Sequence, residues 1–125
     1  MKIWKLKFAS YKTADDILDT IVSGAKKIET RPHTRHEEKN YANIKNGDKL
    51  IFVSLDTGEE VEKIAKGCKV YSSVGEMLEN ENHEEIFPGI GSKEALEQVY
   101  EEVKEKWGKE YKYNLETYGI VAIYI

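Results

Sequence analysis

One cysteine, two prolines and two methionines in 125 residues set the first limits on this chain. With Cys68 alone, neither an internal disulfide nor a multi-cysteine zinc site can form. A lone thiol without a secretion signal suits a reducing cytoplasm, since the stretch Met1 to Phe8 is too short and too lysine-rich for a signal segment. No run approaches the roughly 18 consecutive apolar residues of a membrane helix, so no membrane partner is expected. A surplus of positive charge is also missing. The net charge is −4 and the pI about 5.5, whereas a protein that grips long nucleic acid through its phosphates is usually basic. A broad duplex-binding face is therefore excluded, and a local basic pocket is not.

What is present suits one globular domain spanning 1–125. Hydrophobic residues make up 40% and charged residues 34%, enough to bury a core without staples. Lys5 and Lys7 against Trp4, Leu6 and Phe8 give the period of a half-buried strand over 2–8. Thr13 then caps a helix near 13–23, with Asp15 and Asp16 in its first turn, Ile17, Leu18, Ile21 and Val22 on one face, and Gly24 as its stop. A polar loop over 32–43 carries His33, Arg35, His36, Lys39 and Tyr41; its length makes it a candidate binding loop. Asn46-Gly47-Asp48 is a turn into the apolar run Leu50 to Val53, read as a strand covered on both faces. Residues 60–71 are read as one strand with a bulge at Gly67. Short helices follow at 73–80 and 83–87. Ser92 caps the longest helix, whose stripe is Leu96, Val99, Tyr100, Val103 and Trp107. Gly108 ends it, and Tyr118 to Ile125 is a closing strand, apolar on both faces and hence central. Pattern alone gives the class α+β, with strands 27–31, 49–54, 67–71 and 118–124 expected in one curved sheet.

The densest chemistry lies in Gly24-Ala25-Lys26-Lys27-Ile28-Glu29-Thr30-Arg31. In a strand, Glu29 and Arg31 share a face while Ile28 and Thr30 take the other, and Lys26 can reach Glu29 and Arg31 from the preceding turn. Two cations around one carboxylate keep it ionised and leave positive charge for an anionic or carbonyl-bearing ligand. Glu29 would then suit a general base or a clamp for a base amino group, Arg31 a bidentate hold on phosphate, and Lys26 an oxyanion. The bland alternative is an ordinary surface ion pair worth about 0–1 kcal/mol. The remaining candidates are weaker. His33 and His36 lack a third convergent ligand, so no metal is expected, and no cofactor motif is present. His83 reads as surface and Cys68 as a small buried hydrophobe. Tyr41, with Trp4 or Trp107 at an edge, would be available to stack a base.

The spacing Gly-x-Lys-x-x-Glu-x-Arg over Gly24 to Arg31 resembles the signature of the ASCH domain, a branch of the PUA-like superfamily. Ile44 to Phe52 resembles that family's Gly-Asp turn and following strand, and Tyr71-Ser72-Ser73, Phe87-Pro88-Gly89 and Tyr118 to Ile123 agree in order, from about residue 14 onward. The resemblance implies a small, mostly antiparallel β-barrel with helices covering its openings. It implies a cleft lined by Gly24, Lys26, Glu29, Arg31, Arg35 and Tyr41 that binds RNA or a nucleoside- or nucleotide-derived small molecule. Some relatives are amidohydrolases acting on acylated cytidine through a lysine, a threonine and a glutamate, and others are ribonucleases. Lys26 matches that lysine; Glu29 occupies the threonine position, Thr30 is expected to face away, and the glutamate falls somewhere in Glu76 to Glu85. If the chain is an enzyme, Lys26 and Glu29 are its catalytic candidates. A protein-interaction module is the third reading.

Overall fold

The computed structural model describes residues 1–8, 14–36 and 39–125, with the side chains of 14–16 left aside. The Thr13 cap and the Asp15 and Asp16 side chains expected at the first helix lie outside these described residues. Among them the chain forms six strands and five α-helices. Strand β1 (Ile3–Phe8) leads to helix α1 (Ala14–Ser23), strand β2 (Ile28–Pro32) and a 3-10 turn (Tyr41–Asn43). Strands β3 (Lys49–Ser54), β4 (Glu60–Ile64) and β5 (Gly67–Tyr71) follow, then helices α2 (Val74–Asn80), α3 (His83–Ile86), α4 (Lys93–Lys106) and α5 (Lys109–Tyr118), and finally β6 (Ile120–Tyr124).

The strands do not form one sheet. One sheet has the order β1-β3-β4, with β1 parallel to β3; the other is antiparallel, in the order β2-β6-β5. The expected single curved sheet is thus divided, with β3 in one half and β2, β5 and β6 in the other, and the sheets are not closed into a barrel. The α+β class stands.

Packing follows from strand parity. Trp4, Leu6 and Phe8 on β1 and Leu50 and Phe52 on β3 meet Val121 and Ile123 of β6 in one core, under Leu18 and Ile21 of α1. The opposite face of the second sheet carries Ile28, Ala122 and Ile120 into another core with Leu96, Tyr100 and Leu115 of α4 and α5. β6 is central and buried on both faces, as its sequence indicates. β3 instead alternates, with Leu50 and Phe52 buried and Ile51 and Val53 half-buried, because among the described residues no layer covers the other face of its sheet. The strand read as 60–71 is two strands. Gly67, at φ +127°, opens β5 as the chain passes from one sheet to the other, with Ala65 and Lys66 between. Tyr118 ends α5 rather than starting β6, and Gly108, expected only as a stop, is also the N-cap of α5.

Asp48, in the Gly-Asp turn, fixes the start of the first sheet. Its carboxylate accepts the backbone N–H groups of Lys2 and Lys45, each at 3.0 Å, and the indole N–H of Trp4 at 3.1 Å. These bonds hold its carboxyl down at about 2, the two backbone donors contributing most.

Candidate functional site

Gly24, at φ +83°, ends α1 and turns the chain so that Lys26 lies buried beneath β2. Its Nζ donates to the carbonyls of Ile86 at 2.6 Å and Ile28 at 2.9 Å, and stands 3.9 Å from Glu29 Oε1. Glu29 Oε1 accepts the backbone N–H of Thr30 at 2.8 Å, and Oε2 stands 3.8 Å from Arg31 Nη2. Arg31 Nη1 donates to Lys7 O at 2.8 Å, tying β2 to β1 across the gap between the sheets. The three charged side chains therefore converge as their spacing predicts, and all are largely buried, at 10%, 11% and 14% side-chain exposure. At that burial an ordinary surface ion pair no longer describes them. Burial draws the Lys26 ammonium below its ordinary pKa; Glu29 opposes the shift and Arg31 adds to it.

These groups line a cleft of about 850 Å³ that follows the edge of β2 not paired with β6. Because the cleft wraps that edge, Thr30 lines it as well, although its side chain is on the opposite face of the strand as expected. Its hydroxyl is 2.5 Å from that of Tyr100. The α4–α5 wall contributes Val99, Val103, Trp107 and Tyr111; the Trp107 and Tyr111 rings lie 5.7 Å apart. The Tyr111 hydroxyl is pushed up to about 12 by burial, which Arg31 opposes and Glu29 reinforces. On the other wall Tyr41 lies beside Arg31, whose Cζ is 5.9 Å from the ring centre. Among the described residues the cleft lining holds five cations (Lys5, Lys7, Lys26, Arg31 and Lys39) against two carboxylates, Glu29 and Glu110. A chain of net charge −4 thus gathers positive charge here. A second cavity, about 500 Å³, is edged by Glu94, Glu97, Glu101 and Glu116 against one cation, Lys104, which is paired with Glu101 at 3.0 Å, so its surplus is negative.

Other expected residues fall elsewhere. Gly24 acts from the turn and does not line the wall, and Arg35 is set over the Tyr118 ring at 5.4 Å, outside the cleft. Trp4 is 4% exposed with its N–H spent on Asp48, so it offers no stacking face, whereas Trp107 is 38% exposed in the cleft. Cys68 is half-buried, its Sγ near the carbonyls of Ile44 and Ala42, and burial pushes its thiol up. None of the glutamates from 76 to 85 lines the cleft. Glu81 accepts from Tyr71 at 2.6 Å and from Tyr124, Glu76 from Ser72, and Glu85 faces Lys27 at 3.9 Å. Glu84 accepts the N–H groups of Gly89 and Gly91 at 2.7 and 2.9 Å, which hold its carboxyl low. The carboxylate added by the fold is Glu110 of α5, the helix missing from the sequence reading. Among the described residues no group of three or more His, Cys, Asp or Glu is placed to hold a metal. No described helix is long and apolar enough to cross a membrane.

The fold and site define a small α+β domain with a basic, aromatic-walled cleft along one strand edge. No protein-family model and no curated protein matches the chain. Among solved structures it is similar to the crystal structure of hypothetical protein PH0355, at 32% identity over 98% of this chain and 95% of that one, with a TM-score of 0.70. It is likewise similar to the solution structure of PF0455 from Pyrococcus furiosus, at 30% identity over 98% and 94%, with a TM-score of 0.64. The chain belongs to the family that includes these two proteins.

Proposed function

We propose that the chain is an ASCH-type, PUA-like domain whose cleft binds RNA or a nucleotide-derived small ligand. The observation that carries this is the meeting of Lys26, Glu29 and Arg31 inside a cleft that also offers aromatic rings. A guanidinium has five N–H donors, and among the described residues Arg31 spends one, on Lys7 O. The remainder suits a phosphate or a base carbonyl, while Trp107, Tyr111 and Tyr41 suit a base face. The cleft volume falls within the few hundred to about 1,000 Å³ typical of small-ligand sites. In this reading the two sheets, packed through Leu6, Phe52, Val121 and Ile123, are the opened halves of the PUA-like barrel.

Hydrolysis in the same cleft is the alternative, with Lys26 and Glu29 as its chemistry. Binding is favoured because Lys26 spends two donors on main-chain carbonyls and none of the glutamates from 76 to 85 lines the cleft. The test is titration with nucleosides, nucleotides and short single-stranded RNA, followed by Trp107 fluorescence. Binding is expected to be lost in Arg31→Ala and Glu29→Ala, with a salt slope corresponding to about one to three phosphates. A steep slope involving many phosphates would overturn the compact-site reading. Turnover of an acylated nucleoside or of RNA that disappears in Lys26→Ala would establish the enzyme instead. Silence across the panel would leave an interaction module.

A further inference from the structure

The outer face of the β1-β3-β4 sheet has a charge pattern that fits a second copy of itself. Strand register places three rows across this face. The first is Ile3, Lys49 and Ile64; the second Lys5, Ile51 and Glu62; the third Lys7, Val53 and Glu60. The other face of the same strands is the core, with Leu6 and Phe52 at 0% exposure. Among the described residues no helix or strand covers the rows on the outer face, and Ile3 and Ile64 are 55% and 54% exposed. Down the middle runs an apolar spine of Ile51 and Val53; one edge is basic at Lys5 and Lys7, the other acidic at Glu60 and Glu62.

We propose that two copies of the chain pair through this face, about a two-fold axis parallel to the strands. That rotation lays β1 of one protomer over β4 of the other. Lys5 then meets the partner's Glu62, Lys7 meets the partner's Glu60, and Ile3 meets the partner's Ile64. The spine packs on itself, Ile51 on the partner's Ile51. Lys49 falls opposite the partner's Lys49, but its ammonium already has Glu62 of its own chain at 3.7 Å. The other two-fold, perpendicular to the strands, would set lysine on lysine along β1 and glutamate on glutamate along β4. The charges therefore select one of the two face-to-face arrangements, and aligned sheets pack at about −30°, which this one permits. The face measures roughly 14 Å by 17 Å from strand spacing and rise, small beside the roughly 800 Å² per partner of a standard interface. The dimer is accordingly weak and dissociates on dilution.

Charge exchange tests the arrangement, using sedimentation equilibrium with circular dichroism to confirm folding. The wild-type chain is expected to associate with concentration. The double variant Glu60→Lys with Glu62→Lys makes both edges basic, and Lys5→Glu with Lys7→Glu makes both acidic. Each alone is expected to be monomeric, and their equimolar mixture to dimerise again. A wild-type chain that stays monomeric up to about 1 mM, association in either variant alone, or no recovery on mixing would each overturn the proposal.

Discussion

Replacing Lys26 by Met removes an ammonium and keeps a side chain of similar length in the same buried place. The two carbonyls it serves belong to distant parts of the chain. Ile28 O lies on β2, and Ile86 O ends α3, a segment also pinned to β2 by the Lys27 N–H to Glu85 O bond. Hydrogen bonds involving a charged group contribute about 1.5–3 kcal/mol each, and leaving a buried carbonyl unpaired adds cost. Relief from keeping an ammonium out of water offsets part of that. Glu29 keeps Arg31 as a partner, so no orphaned carboxylate is created. The balance is a loss of about 2–4 kcal/mol, which for a domain of this size is a Tm lower by roughly 8–16 °C. Urea unfolding with an unchanged m-value would measure it. A variant as stable as the wild type, within about 0.5 kcal/mol, would refute the reasoning and make Lys26 a group held for the ligand.

Trp107→Ala should weaken nucleotide binding by about 1–3 kcal/mol, roughly 5- to 150-fold, with little change in Tm, read by calorimetric titration. Gly119→Ala should destabilise the fold by about 3 kcal/mol or more in urea melts, since a methyl there would lie 2.0 Å from Tyr71 O at a φ of +90°. Asp48 has its carboxyl depressed to about 2 from an ordinary 3.8, so its contribution is complete above 3.8 and drains away as pH falls towards 2. Asp48→Asn should flatten that window in acid unfolding followed by circular dichroism.

Local pattern made most elements legible. The alternation of Trp4, Leu6 and Phe8, the Ser92 cap and the stripe from Leu96 to Trp107 are signals that neighbouring residues carry, and the structure follows them. The fifth helix was legible too, in Tyr111, Leu115 and Tyr118 at steps of four and three between Gly108 and Gly119. Its surrounding lysines and glutamates hide that stripe, and with it went Glu110 and the wall of the cleft. The division into two sheets was not legible, because pairing β1 with β3 and seating β6 between β2 and β5 are long-range choices. For the site, strand parity placed Glu29 with Arg31 correctly. Parity could not tell Trp4 from Trp107, since the partner that withdraws Trp4 is Asp48, 44 residues away.

An unpaired strand edge invites another strand to add to it, in a neighbouring copy or in a growing aggregate. The open edge of β2 is stoppered by its own site residues. Glu29 takes the Thr30 N–H, Lys26 takes the Ile28 carbonyl, and Pro32 has no N–H to offer. The charged side chains that line the cleft are thus also the guards of the sheet. Exchanging Glu29 or Lys26 would reopen a template for β-addition, so these two positions can drift only as fast as some other residue takes over the watch.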